Sequence, residues 1–186
     1  MVNTWKIRQA ARIILDGGII AYPTEAVYGL GCNPLDSRAI LRLLQLKNRS
    51  MEKGLILVAA SIEQLDPFIQ IPSKEILQKV SDSWPGPVTW VLPARPGVPE
   101  LLTGAHDTLA VRVSAHPVVQ ALCREIDQPL TSTSANRESQ PPTRSALAVQ
   151  RVFGQEIDFI LHGAVNLQSK PTEIRDALTD KVYRSA

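Results

Sequence analysis

Apolar positions recur at two spacings along the 186-residue chain, one close to a helical turn and one close to strand alternation, and together they predict where each element falls. Ile7, Ala11, Ile14 and Leu15 lie at helical spacing behind Asn3 or Thr4 as a cap, and Gly17-Gly18 ends that helix. Residues 19–22 are short, apolar and rich in β-branched side chains until Pro23 stops them, and residues 27–32 offer a second strand. Ser37 is placed to cap a helix with Ile40, Leu43, Leu44 and Lys47 on successive turns, after which polar residues 48–53 lead into a buried strand over 55–59. Residues 61–64 match a capping box at the start of a short helix, and residues 73–82 predict a longer one with Ile76, Leu77 and Val80 inward.

The second half continues the same alternation. Trp84-Pro85-Gly86-Pro87 is a rigid connection with two prolines that lack an N–H, and it feeds a strand over 88–92. Residues 109–113 predict a strand, Val118, Leu122 and Ile126 mark a helix, and residues 130–132 form a short strand that runs into Thr133-Ser134-Ala135-Asn136. A helix over 146–153 ends at Gly154, and strands follow near 159–161, 174–178 and 181–184, the last two joined by a Thr179-Asp180 turn. Helices and strands interleave, yet several strands succeed one another through short turns. The pattern therefore predicts an α/β (α+β) fold, a mixed sheet flanked by helices, rather than a purely parallel doubly wound sheet.

Composition changes this picture little. At roughly 150 residues per domain, the length predicts a single domain over 1–186, large enough to fold without disulfides or a structural metal. With 44% hydrophobic and 20% charged residues the chain is an ordinary globular one, and a net charge of +2 gives no bulk attraction to nucleic acid, so any basic surface must be local. Cys32 and Cys123 are isolated, which predicts reduced, buried thiols. The first sixteen residues lack the apolar core of a signal peptide, and the longest apolar runs, such as 55–60, fall far short of the roughly 18 residues that cross a bilayer. A cytoplasmic protein is expected.

Several chemistries drop out by motif. There is no phosphate-binding G-x-x-x-x-G-K-[ST], no G-x-S-x-G elbow and no H-E-x-x-H, and Gly29-Leu30-Gly31 is followed by Pro34 where a dinucleotide fingerprint needs glycine. His106, His116 and His162 are too scattered for a triad or metal site and read as surface or structural. What remains are polar groups just beyond apolar strands, where α/β folds build their sites. Lys47-Asn48-Arg49 with Lys53 stands at a helix C-terminus, as solvated charges against the dipole or as a phosphate clamp of point charge and fork. Residues 131–136 place five short hydroxyl or amide side chains after a strand, as ordinary turn residues or as a donor array for phosphate, ribose or carboxylate. Arg112 lies within an apolar strand, either paired with an acid such as Glu25 or awaiting an anionic ligand.

Taken in order, Pro23-Thr24-Glu25-Ala26-Val27-Tyr28-Gly29-Leu30-Gly31, Lys47-x-Arg49, Trp84-Pro85-Gly86-Pro87-Val88-Thr89, Ala110-Val111-Arg112-Val113, Ser132-Thr133-Ser134-Ala135-Asn136 and Pro171-Thr172-Glu173-Ile174-Arg175-Asp176 resemble the YrdC/TsaC family of threonylcarbamoyl-AMP synthases. Six motifs in register span nearly the whole chain, and the length resembles the short, single-domain bacterial form. The resemblance implies a strongly twisted mixed sheet around an open basic cavity. It also implies a reaction in which L-threonine and bicarbonate or CO2 give a carbamate that attacks the α-phosphate of ATP, releasing pyrophosphate. Partner proteins would then pass the threonylcarbamoyl group to an adenosine next to the tRNA anticodon.

On the family pattern Lys47 and Arg49 would hold the triphosphate with Mg²⁺, Ser134 and Asn136 would fix the nucleotide, and Arg184 would lie near the phosphates. Arg112 would pair with the threonine carboxylate, with Thr24 and Thr172 orienting the amino acid. The chain departs from the pattern at Ser50, where a proline is usual, and at Val58, where longer relatives carry a histidine. It also has Glu138-Ser139 where a Ser-Gly pair is usual, so a turn that would use glycine at positive φ is expected to be built otherwise. A non-catalytic double-stranded RNA- or tRNA-binding factor, or a ribosome-assembly factor, using the same basic cavity is the competing expectation. Three each of Trp, Tyr and Phe supply few stacking platforms for single strands, which a shape reader would not need.

Overall fold

The computed structural model describes residues 3–166, 168 and 172–185; Pro171 of the last motif lies outside the described residues. Asn3 caps α1 (Thr4–Leu15) by accepting the Lys6 N–H at 3.1 Å, and Ile7, Ala10, Ala11 and Ile14 form its buried stripe. The chain then runs through β1 (Ile20–Pro23) and β2 (Tyr28–Gly31) into α2 (Ser37–Lys47). Asp36, rather than Ser37, caps α2: its Oδ1 accepts the N–H groups of Arg38 and Ala39, so Ser37 becomes the first helical residue. A 3-10 turn (Met51–Lys53) leads to β3 (Ile56–Ala59).

The predicted helix after residue 60 is a series of turns. Gln64 does reach back to the Ala60 N–H at 2.9 Å, but its amide also donates to the Cys123 carbonyl, and Pro67 restricts continuation. In α3 (Lys74–Ser83) only Val80 is fully buried, and Leu77 faces solvent because the helix rests on the fold by one narrow edge. Then come β4 (Val88–Pro93), α4 (Glu100–Thr103), β5 (Thr108–Val113), α5 (Pro117–Glu125), β6 (Leu130–Ser134), α6 (Ala146–Phe153), β7 (Phe159–Ile160), β8 (Glu173–Asp176) and β9 (Val182–Arg184). Short α4 carries no periodic signal of its own, and β6 runs two residues further than the apolar pattern suggests because Thr133 and Ser134 pair with Leu30 and Gly29.

Among the described residues the strands form one mixed sheet in the order β7-β1-β2-β6-β3-β5-β4-β8-β9. Three pairs are parallel (β1 with β7, β3 with β5, β4 with β8) and the other five are antiparallel, three of them consecutive from β1 through β2 and β6 to β3. One face is sealed by the larger core, in which Ile40, Leu43, Leu57, Leu92, Val111 and Phe153 meet. The opposite face is covered only in part: α1 and α5 pack there, placing Ile14, Val119 and Leu122 against Ile20, Tyr22, Val58 and Leu130. Beyond those helices the same face stays open, and side-chain alternation decides what it presents. Leu109, Val111 and Val113 point into the core while Thr108, Ala110 and Arg112 point into the opening.

Candidate functional site

The opening is a cavity of about 470 Å³ whose floor is the uncovered sheet face. The register makes it contiguous: Val58 is paired with Arg112, Ile56 with both Ala110 and Ser132, and Gly29 with Ser134. Its described wall carries four cations, Arg49, Lys53, Arg112 and Arg184, together with His106 and the hydroxyls of Thr24, Ser132, Thr133, Ser134 and Thr172. No aspartate or glutamate lines it among the described residues. A concave, partly apolar site with this one-signed rim favours an extended anion.

Arg112 is 5% exposed and pairs with Glu25, Nη2 lying 3.1 Å from Oε2. Of the two open readings of this arginine, the structure shows the pairing with Glu25. The contact is an ion pair without an aligned hydrogen bond, and among the described residues Arg112 Nε has no hydrogen-bond partner at all. A buried N–H without an acceptor is costly, which makes this atom an obvious place for a ligand oxygen. Glu25 receives the Ser114 hydroxyl on Oε1 at 2.7 Å. Burial pushes its carboxyl up, but the Arg112 charge and the Ser114 bond outweigh it and hold it below the usual carboxylate range.

The phosphate-clamp candidates are arranged less simply. Asn48 closes α2 in the left-handed region at φ 50°, which turns Arg49 toward the cavity and leaves Lys47 on the buried side of the helix. Lys47 Nζ donates to the Ser134 carbonyl at 2.5 Å, the Asn136 carbonyl at 2.6 Å and Asn136 Oδ1 at 3.0 Å. Burial, followed by the neighbouring Arg49 charge, pulls its pKa down to about 8. Asn136 Oδ1 also accepts the Ser134 hydroxyl at 2.6 Å, and its amide donates to the carbonyls of Arg137 and Gln140. Ser134 therefore faces the cavity, while Lys47 and Asn136 stand behind it as its support. Arg49 folds over the following turn, donating to the Gly54 carbonyl from Nε at 3.1 Å and from Nη2 at 2.9 Å.

The far wall comes from the last hairpin. Arg184 donates to the Thr172 carbonyl from Nε and Nη2 and to Thr172 Oγ1 at 3.1 Å, and Thr172 Oγ1 lies 3.4 Å from Thr89 Oγ1. Burial and then the charge of Arg112 lower the Arg184 pKa, so the two arginines repel across the opening. Thr24 uses its hydroxyl within its own turn, donating to the Val27 carbonyl at 2.7 Å. Lys53, grouped in the sequence with Lys47 and Arg49, reaches the wall by way of the 3-10 turn. His106, expected to be surface or structural, follows α4 and lines the cavity, as do Thr103, Thr108 and Tyr183, which the sequence pattern does not single out either. His116, by contrast, is structural: its Nδ1 accepts the Val118 N–H and caps α5.

The departures noted in the sequence have local answers. Ser50 caps the 3-10 turn, its hydroxyl accepting the Glu52 N–H at 3.2 Å. The turn at Glu138-Ser139 is not built otherwise: Ser139 itself takes the positive φ, at 62°, that glycine would adopt. Val58 lies on the cavity floor beside Arg112. For Mg²⁺, the described residues contain no cluster of three or more His, Cys, Asp and Glu, and the lining lacks the carboxylates such an ion prefers. The described residues therefore offer it no cage of their own. No helix among the described residues is long and apolar enough to cross a membrane.

Residues 12–186 match the sequence family described as Telomere recombination, Sua5_yciO_yrdC. A protein of Nitrosococcus oceani named threonylcarbamoyl-AMP synthase is 51% identical over 180 residues, covering 97% of each chain, and one of Stutzerimonas stutzeri with the same name is 46% identical over the full length of both. Among solved structures, P. abyssi Sua5 complexed with L-threonine aligns with a TM-score of 0.89 at 37% identity over 95% of this chain, which spans about half (52%) of that longer one. E. coli YciO aligns with a TM-score of 0.85 at 28% identity, covering 98% of this chain and 89% of that one.

Proposed function

The chain belongs to the Sua5/YciO/YrdC family, and from that premise we propose that it is a threonylcarbamoyl-AMP synthase, a nucleotidyltransferase that joins L-threonine, bicarbonate or CO2, and ATP. The observation that carries the reading is a cavity in which Arg49, Lys53 and Arg184 stand around a buried arginine, Arg112, whose Nε has no acceptor, with no carboxylate among the described lining residues. Threonine and bicarbonate or CO2 form N-carboxythreonine, whose carbamate oxygen attacks the α-phosphorus of ATP. A P–O bond to pyrophosphate breaks as the new P–O bond forms, giving threonylcarbamoyl-AMP. The carbamate is already an anion, so the protein needs no strong general base. It has to hold two anions in contact and neutralise the charge that develops on the phosphate oxygens.

The positions of the side chains support the following roles. Arg112 takes the threonine carboxylate on Nε, with Thr24 and Thr172 bounding the amino acid. Arg49 and Arg184, joined by Lys53, face the phosphates from opposite walls. Ser134 meets the nucleotide, and Lys47 and Asn136 hold the loop that presents it. Lys47 would touch a phosphate oxygen only by exchanging one of its present acceptors. Mg²⁺ would travel with the phosphates and water and add charge neutralisation there. The product's threonylcarbamoyl group would go to the adenosine next to the anticodon of tRNA through partner proteins in the cytoplasm. Incubation with ATP, L-threonine and ¹⁴C-bicarbonate tests this: label in an adenylate is expected only when all three are present, and no labelled adenylate from folded protein would contradict it.

A further inference from the structure

The ion pair at the base of the cavity has an unequal geometry with a visible cause. An arginine and a carboxylate left to themselves prefer two parallel N–H···O bonds, which here would engage both Nε and Nη2 of Arg112. Glu25 instead reaches only Nη2, at 3.1 Å, because its other oxygen is held by the Ser114 hydroxyl at 2.7 Å. Ser114 is fully buried just after β5 and is fixed from several sides. Its N–H donates to the Ala59 carbonyl at 3.1 Å, its Oγ accepts the His116 N–H at 3.1 Å, and its carbonyl accepts Gln120 Nε2 at 3.1 Å. The hydroxyl thus acts as a stop on the carboxylate, and the unpartnered Nε of Arg112 is the result.

We propose that Ser114 is a positioning residue for the amino-acid substrate: by retaining Glu25 Oε1 it keeps Glu25 off the Nε edge of Arg112 and leaves that N–H for the substrate's carboxylate. The inference deepens the synthase reading and rests on it for the identity of the amino acid. Without the hydroxyl, Glu25 closes the bidentate pair and competes with threonine inside the protein. Ser114 acts through Glu25 and touches no reacting atom.

The test measures L-threonine binding by calorimetry, and kcat and both KM values from pyrophosphate release, for the wild type, Ser114→Ala, Ser114→Thr, Glu25→Gln and the Ser114→Ala/Glu25→Gln double variant. Ser114→Ala is expected to weaken threonine about tenfold, with kcat and the KM for ATP changed less than about twofold, and Ser114→Thr to bind like the wild type. In the Glu25→Gln background Ser114→Ala should add nothing. Unchanged threonine affinity in Ser114→Ala, an equal rise in the KM for ATP, or additive losses in the double variant would overturn the proposal. A wild type that binds threonine but releases no pyrophosphate would fail the synthase reading alone, and the calorimetric comparison would still decide the role of Ser114. A wild type that binds no threonine would overturn both.

Discussion

Lys47 Nζ lies 3.0 Å from Asn136 Oδ1, and two main-chain carbonyls complete its three-acceptor seat. The ammonium thus ties the end of α2 to the loop after β6, and it does so at 5% exposure with no carboxylate in that seat. Lys47→Ala should take one donor from each of three partly buried acceptors, of which Asn136 Oδ1 keeps the Ser134 hydroxyl and the Ser134 carbonyl keeps the Asn136 N–H, a loss of about 2 kcal/mol in denaturant unfolding. Turnover with ATP should fall sharply while the KM for threonine changes little. Lys47→Arg should rescue poorly, because a planar fork does not match acceptors arranged for a compact ammonium.

The clamp loop has a second anchor. Gly104 sits at φ +67°, and a Cβ there would come within 2.3 Å of the Glu52 carbonyl oxygen and 2.6 Å of Gly54 N. Both are backbone, so Gly104→Ala would move the 3-10 turn that carries Lys53 and receives Arg49. A loss of about 2 kcal/mol in stability, from strained φ and overpacking, should accompany a raised KM for ATP. An unchanged KM for ATP would dissociate this turn from the nucleotide.

How much of this is legible in the sequence depends on whether a signal is local. The α6 boundaries, the Ile7, Ala11 and Ile14 positions of the α1 stripe and the exit of α2 at Lys47 are readable because periodicity and end signals lie within one turn of the chain, whereas Leu15, at the same spacing, lies at the end of α1 and is exposed. Arg112 is conspicuous as a charge in an apolar strand. What the chain does not disclose are choices made by distant partners. Thr133 and Ser134, polar residues that suit a turn as well as a strand, join β6 only because β2 lies beside them. Lys47 turns inward because Asn136, 89 residues away, is there to receive it. His106 gains its place from α4, a helix too short to leave a pattern, and Ser114 reveals its role only through Glu25.

Histidine titration should appear in stability. His116 Nδ1 must be unprotonated to accept the Val118 N–H, and burial holds the folded pKa below the ordinary 6.5, with the Ala164 carbonyl and Glu25 opposing that shift. A depressed folded pKa means the contribution is complete above about 6.5 and is lost as pH falls through the lower folded value. Melting temperature should therefore begin to drop below about pH 6.5. His116→Asn, which keeps an acceptor at the cap without titrating, should flatten that part of the curve.

Ser139 holds a conformation that suits glycine better, at φ 62°. Ser139→Gly should raise stability by about 0.5–1 kcal/mol, since relief of the left-handed penalty exceeds the entropy that glycine adds to the unfolded chain. A scanning calorimetric comparison with the wild type reads this directly, and a lowered melting temperature would contradict it.

Arg112→Ala should separate the two substrates, raising the KM for L-threonine by about 10-fold or more while ATP binding persists. Equal loss of both would place Arg112 outside amino-acid recognition.

The central claim is met most directly by pyrophosphate release from purified wild-type protein with ATP, Mg²⁺ and bicarbonate, comparing L-threonine, L-serine and no amino acid. Release that requires bicarbonate, is greatest with threonine and is absent without an amino acid is the predicted result. No release in any combination from folded protein, or release indifferent to the amino acid, would contradict the account.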